Sequence, residues 1–160
     1  MTQAQLSRSK LGQICSLQAY EWLQELIIQW HPNQPYPLTP KQSFYKNTSH
    51  RQYLSKYIEA VIVKTLRKVG GDPINSVDSG QLITDARGNK KYVFNAKVKK
   101  GRADVKCFIF GKMVNFEVKV GKDRMSDYQH EEKARAEANG EVYLIIRSID
   151  DFMEWYKKYA

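Results

Sequence analysis

Two cysteines in 160 residues, Cys15 and Cys107, are too few for a disulfide framework, and they match no metal-ligand spacing. Both are therefore expected as reduced thiols in a cytoplasm-like compartment. No run approaches the ~18 apolar residues of a membrane span. The opening Met1-Thr-Gln-Ala-Gln-Leu6 lacks the charged-then-apolar order of a secretory signal. The three histidines, His31, His50 and His130, stand apart at no ligand spacing and read as polar surface or helix-start residues. There is no internal repeat and no low-complexity tract. What remains is a chain of single-domain length with 42% hydrophobic and 12% aromatic residues, enough for a real core.

Acidic residues are scarcest where basic ones are densest. The chain carries a formal charge of +9. Residues 86–124 hold 12 lysines and arginines against Asp104, Glu117 and Asp123, so this stretch alone accounts for the whole excess (12 − 3 = 9). A charge focused in this way favours a polyanionic partner. The plainer reading of such a run is a solvated basic hairpin.

Apolar spacing predicts a helix over 13–30, with Ile14, Leu17, Tyr20, Leu23, Ile27 and Trp30 on one face, stopped by His31-Pro32. Four of the five prolines fall within 31–48, which reads as a linker or extended arm. A second helix is expected over 51–69, ended by Gly70-Gly71. Strands follow over Ile74–Thr84 and Lys91–Lys99, joined by a turn at Asp85–Asn89, then over Asp104–Phe110 and Met113–Val120. A third helix over 127–138, a strand over Val142–Arg147 and a last helix capped by Ser148 complete the order. This is an α/β pattern around a mixed sheet, in which the strand before helix 127–138 and the strand after it run parallel.

The chemistry concentrates in Gly101-Arg-Ala-Asp104 and Glu117-Val-Lys119. With Gly111-Lys112 as a two-residue turn, partners across the hairpin sum to 223, so Asp104 faces Lys119 and Glu117 faces Lys106. Side chains alternate between faces. Asp104, Lys106, Glu117 and Lys119 then share one face, and Val105, Cys107, Ile109, Val114, Phe116 and Val118 form a core face on the other. Two carboxylates and an ammonium held together are the equipment of metal-assisted phosphodiester hydrolysis. The plainer alternative is a set of cross-strand ion pairs. Ser126-Asp-Tyr-Gln129 has the spacing of a helix-capping box.

These elements, with Gly101-Arg-Ala-Asp104, Phe116-Glu-Val-Lys119, Arg124-Met-Ser-Asp-Tyr-Gln129, Asn139-Gly140 and Tyr143–Ser148, resemble the PD-(D/E)XK nuclease superfamily. Within it they look most like the virus-type replication-repair (VRR-NUC) branch. The resemblance covers about residues 51–152, and Ala103 stands where the superfamily name has Pro. It implies a restriction-endonuclease-like core over residues 51–160, preceded by an N-terminal helical extension and Pro-rich arm over 1–50.

The resemblance further implies Mg²⁺ or Mn²⁺ held by Asp104, Glu117 and the Val118 backbone carbonyl, with Glu59 completing the shell. Lys119 orients or activates the attacking water, and Gln129 reaches the same site. For Gln129 the cap alone is the alternative, and for Glu59 an ordinary surface glutamate at the edge of the helix's apolar stripe. Arg102, Lys106, Lys122 and Arg124 flank the site and are the expected phosphate contacts. The implied function is an endonuclease acting on branched, flapped or junction DNA in replication, repair or recombination, in the cytoplasm of a bacterial or phage-infected cell. A homodimer is expected, with helix 13–30 offering its apolar stripe as interface or partner dock. Two rivals stand beside this reading: a sequence-specific restriction enzyme on the same fold, and a non-catalytic DNA-binding or assembly module.

Overall fold

A computed structural model describes residues 2–30, 50–75, 80–84, 88, 90–94 and 100–160, with backbone only for 27–30, 50–52, 80–84 and 90–94. The elements run α1 (Gln3–Ser7), a 3-10 turn (Leu11–Gln13), α2 (Leu17–Trp30), α3 (His50–Lys68), β1 (Ile74–Asn75), β2 (Gly80–Thr84), β3 (Lys90–Phe94), β4 (Val105–Ile109), β5 (Lys112–Val118), α4 (Asp127–Ala138), β6 (Val142–Ile146) and α5 (Ile149–Tyr159). A four-stranded mixed sheet has the order β1-β4-β5-β6, antiparallel except for the parallel β5/β6 pair, and β2 and β3 form a separate antiparallel pair. The expected continuous strand 74–84 is thus divided: Ile74 and Asn75 pair with β4, while Gly80–Thr84 pairs with β3. The Pro-rich arm at 31–48 lies outside the described residues, as does the Asp85–Asn89 turn except for Gly88, whose φ is 82°.

Helices flank the sheet on both sides. Val105, Cys107, Ile109, Val114, Phe116 and Val118 all point into one core with Leu54, Ile58 and Ile62 of α3 and Phe152 and Trp155 of α5. Phe116 sits at its centre, edge-on to Trp155 at 4.9 Å and to Phe152 at 5.9 Å between ring centroids, a favoured aromatic geometry. On the opposite side of the sheet α4 brings Ala136 against Tyr143 and Ala103 in a smaller apolar cluster. No helix among the described residues is long and apolar enough to cross a membrane.

The helix expected over 13–30 begins only at Leu17. Ser16 sets that start: its Oγ accepts from the Ala19 amide at 3.1 Å, satisfying a donor of the first turn. Asp150, on the first turn of α5, accepts from the Ser16 amide at 2.9 Å and from its hydroxyl. The apolar stripe of α2 is buried within the chain. Leu23 and Leu26 join the main core, and the Trp22 ring lies 6.2 Å from Phe152 and 5.6 Å from Tyr156. That part of the stripe is therefore not offered to a second copy or a docking partner. Leu6, Leu11 and Ile14 extend the same core. Helix α1 was not anticipated: it is five residues long, and only the Thr2/Gln5 capping box marks it.

The β4/β5 turn is also corrected. It is Phe110-Gly111, with Ile109 opposite Lys112, so partners sum to 221. Both turn residues have positive φ, 51° and 75°, as a two-residue turn matched to strand twist requires. Phe110 takes a backbone position unusual for an aromatic residue, with its ring 6.0 Å from that of Trp155. Sliding the turn by one residue shifts every partner by two, so each side chain keeps its expected face.

Gly101 fixes the approach to β4. Its φ is 80°, and a Cβ there would stand 2.2 Å from the Tyr128 carbonyl oxygen at the start of α4. Gly101→Ala is expected to destabilise the chain by at least about 1–3 kcal/mol, the usual cost of such a backbone position, with the clash added. Gly111→Ala has the same type of strain but open space around it, so urea unfolding should rank Gly101→Ala as clearly the more damaging of the two.

Candidate functional site

β5 is buried on both faces at its C-terminal end. Asn115, Glu117 and Lys119 alternate with the core residues and point toward α4, with Glu117 0% and Lys119 7% exposed. Such polar groups are tolerated inside only when partnered. Lys119 Nζ lies 2.7 Å from Glu117 Oε1, and Gln129 Nε2 donates to the same oxygen. The Tyr143 hydroxyl donates to Glu117 Oε2 at 3.3 Å. One carboxylate is thus answered from its own strand, from α4 and from β6.

Asp104 stands just before β4 and accepts the Val118 amide at 2.8 Å. By the observed register it lies beside Glu117, whereas the 223 register had put it opposite Lys119. The ammonium pairs with Glu117 instead, two residues back on the same face, and stands 4.0 Å from Asp123. Lys119 remains tied to the sheet, its amide donating to Ile146 at 2.9 Å.

Gln129 makes the cap and also contacts Glu117. Its Oε1 accepts from the Ser126 amide at 2.9 Å while Ser126 Oγ accepts from the Gln129 amide, closing a capping box. Its Nε2 is left to reach Glu117. Two ends of one amide therefore serve helix and site together.

The other expected members are engaged in other contacts or are exposed. Lys106 shares the face but is paired with Glu141 at 2.8 Å, and Asn115 Nδ2 donates to the same carboxylate at 2.8 Å. Lys106 thus holds together a neighbouring polar cluster, and its hydrogen bond is the main cause holding the Glu141 carboxyl below its usual range. Arg102, Lys122 and Arg124 are exposed, and each lies within five residues of Asp104 or Lys119 in sequence. Val118 turns its side chain into the core, between Glu117 and Lys119. Glu59 is buried on α3 and pairs with Lys56 at 2.8 Å on its own helix. Among the described residues no group of three or more His, Cys, Asp or Glu side chains is gathered for a metal.

Tyr143 was missed as a site residue. The parallel register sets it opposite Asn115, one step along the face from Glu117. It is the one polar-tipped side chain in the Val142–Ile146 run, and that was the available signal.

Burial raises the Glu117 carboxyl to about 7, and the neighbouring Asp104 charge adds to the rise; Lys119 and Tyr143 partly offset both. Burial also pushes the Tyr143 hydroxyl up, and the Glu117 carboxylate beside it adds to this. Two mutually repelling carboxylates provide hard oxygen donors. That set fits Mg²⁺, which takes one or two carboxylates and completes its shell with water and phosphate oxygens.

Between pH 4.5 and about 7 the folded state retains a proton on Glu117 that the unfolded chain has already released. Its contribution to stability is complete below pH 4.5 and is lost as pH rises through about 7, a change of about 3 kcal/mol. Without added metal, the wild type should therefore lose stability relative to Glu117→Gln between pH 4.5 and 7.5. Parallel pH–stability curves from urea unfolding would contradict this.

Comparison with protein-family models, with curated proteins and with solved structures finds no match to this chain.

Proposed function

We propose that the chain is a metal-dependent endonuclease that hydrolyses DNA phosphodiester bonds on a restriction-endonuclease-like core, with a preference for branched or flapped DNA. The observation that carries this reading is the convergence of Asp104, Glu117 and Lys119 at the end of β5, with Gln129 reaching in from α4. Asp104 and Glu117 would hold Mg²⁺ or Mn²⁺. The bound ion supplies Lewis-acid stabilisation of charge on the phosphate oxygens. Lys119, held 2.7 Å from Glu117 Oε1, would orient the attacking water and oppose charge building on the phosphorane. Gln129 and Tyr143 keep the Glu117 carboxylate aimed. Arg102, Lys122 and Arg124, exposed and close in sequence to Asp104 or Lys119, bind phosphates without reading sequence.

A second reading has one observation in its favour. Glu117 has no exposed surface and three hydrogen-bonding partners, as a purely structural network in a non-catalytic DNA-binding module would have.

Incubation with linear, flapped and four-way-junction DNA in Mg²⁺, Mn²⁺ or EDTA separates the two. Cutting of branched forms should require metal and should fall at least about 100-fold in Asp104→Ala and in Lys119→Ala. Cutting that persists unchanged in Asp104→Ala excludes the assigned site. DNA binding with no cutting in either metal favours the structural module.

A further inference from the structure

Beside the carboxylate site, α4 carries a groove that the proposed chemistry does not use. Lys100, Tyr128, Glu131, Glu132 and Arg135 line an open hollow of about 490 Å³. Residues 128, 131, 132 and 135 follow one stripe of the helix, and Lys100 forms the facing wall. Tyr128 is 53% exposed, and Lys100 Nζ lies over its ring, 5.2 Å from the centroid. Arg135 closes the far end, with Nε 2.9 Å from Glu132 Oε2 and a second contact from Nη2 to Oε1.

We propose that this groove seats an unpaired base of the DNA strand, stacked on Tyr128; the proposal rests on the nuclease reading of the neighbouring site. An aromatic side chain in basic surroundings is the usual platform for a single-stranded base, and with Lys100 over one face of the ring the base takes the other. The acids argue against a phosphate deep in the hollow. Arg135 neutralises Glu132, but Glu131 leaves a carboxylate that repels phosphate and accepts N–H donors from a base edge. The phosphates then lie outside, toward Lys100 and the exposed Arg102 on either side of Gly101. A base inside a duplex has both faces covered by its neighbours and cannot use the ring.

Position supports the same occupant. The Gly101 backbone packs on that of Tyr128, and the next residue, Gln129, touches Glu117. Four residues of chain, at most about 14 Å, separate Lys100 from Asp104. The groove is therefore within a few nucleotides of the carboxylates, and an unpaired base held there directs cutting to the edge of unpaired DNA.

Fluorescence anisotropy of the full chain in EDTA tests this with a labelled duplex carrying an unpaired tail and with the same duplex blunt-ended. Tyr128→Ala should weaken binding to the tailed DNA roughly tenfold and leave the blunt duplex unchanged. Tyr128→Leu, which keeps apolar bulk, should show the same loss, and Tyr128→Trp should bind like the wild type. Equal affinity of Tyr128→Ala and wild type for the tailed DNA overturns the proposal. So does an equal loss on both DNAs, or a wild type that binds neither. Because EDTA removes the metal, the two readings fail separately. A Tyr128-dependent tail preference with no metal-dependent cutting defeats the catalytic assignment alone. Asp104-dependent cutting with an unchanged Tyr128→Ala defeats the groove alone.

Discussion

A carboxylate with no exposed surface has to be answered by donors, and the surroundings of Glu117 are organised around that demand. Lys119 on the same strand, Gln129 on α4 and Tyr143 on β6 each supply one. Gln129 can supply its donor because the Ser126 capping box places it in the first turn of α4. It also fits the tyrosine in β6, a strand otherwise made of aliphatic residues. Asp104 adds a second negative charge rather than a donor. The two carboxylates therefore stand side by side with their charges in opposition.

The faces of β4 and β5 were legible because period-two alternation is insensitive to an even shift. The pairing itself was not. Gly111 signalled a turn without fixing which neighbour shared it, and Phe110, held against Trp155, is a residue no turn preference would select. α4, β6 and α5 were legible to within a residue because Ser126, Ser148 and Asn139-Gly140 carry their own start and stop chemistry. Tyr143 was not legible as a partner of Glu117, since the contact depends on the parallel register of β5 and β6, which local spacing does not encode.

The N-terminal helices were harder to place for the same reason. An amphipathic stripe says that a face will be buried but not against what. In α2 that face meets α5, and the junction is tied by Ser16 with Asp150 and by the Ile149 amide donating to the Ile14 carbonyl at 2.7 Å. The Ser16–Asp150 pair joins the first turns of two helices 134 residues apart in sequence, and it gathers the starts of α2 and α5 at one point.

The two-ended amide of Gln129 makes the first turn of α4 and the polarity of the site a single cooperative unit. Fraying of that turn takes a donor away from Glu117, and a carboxylate that turns away from Gln129 removes one restraint on the helix start. Any movement of the Glu117 side chain is consequently felt at the start of α4. The Ser126 amide, exposed and bonded to the far end of the Gln129 amide, becomes a reporter whose hydrogen-exchange protection follows what Glu117 does.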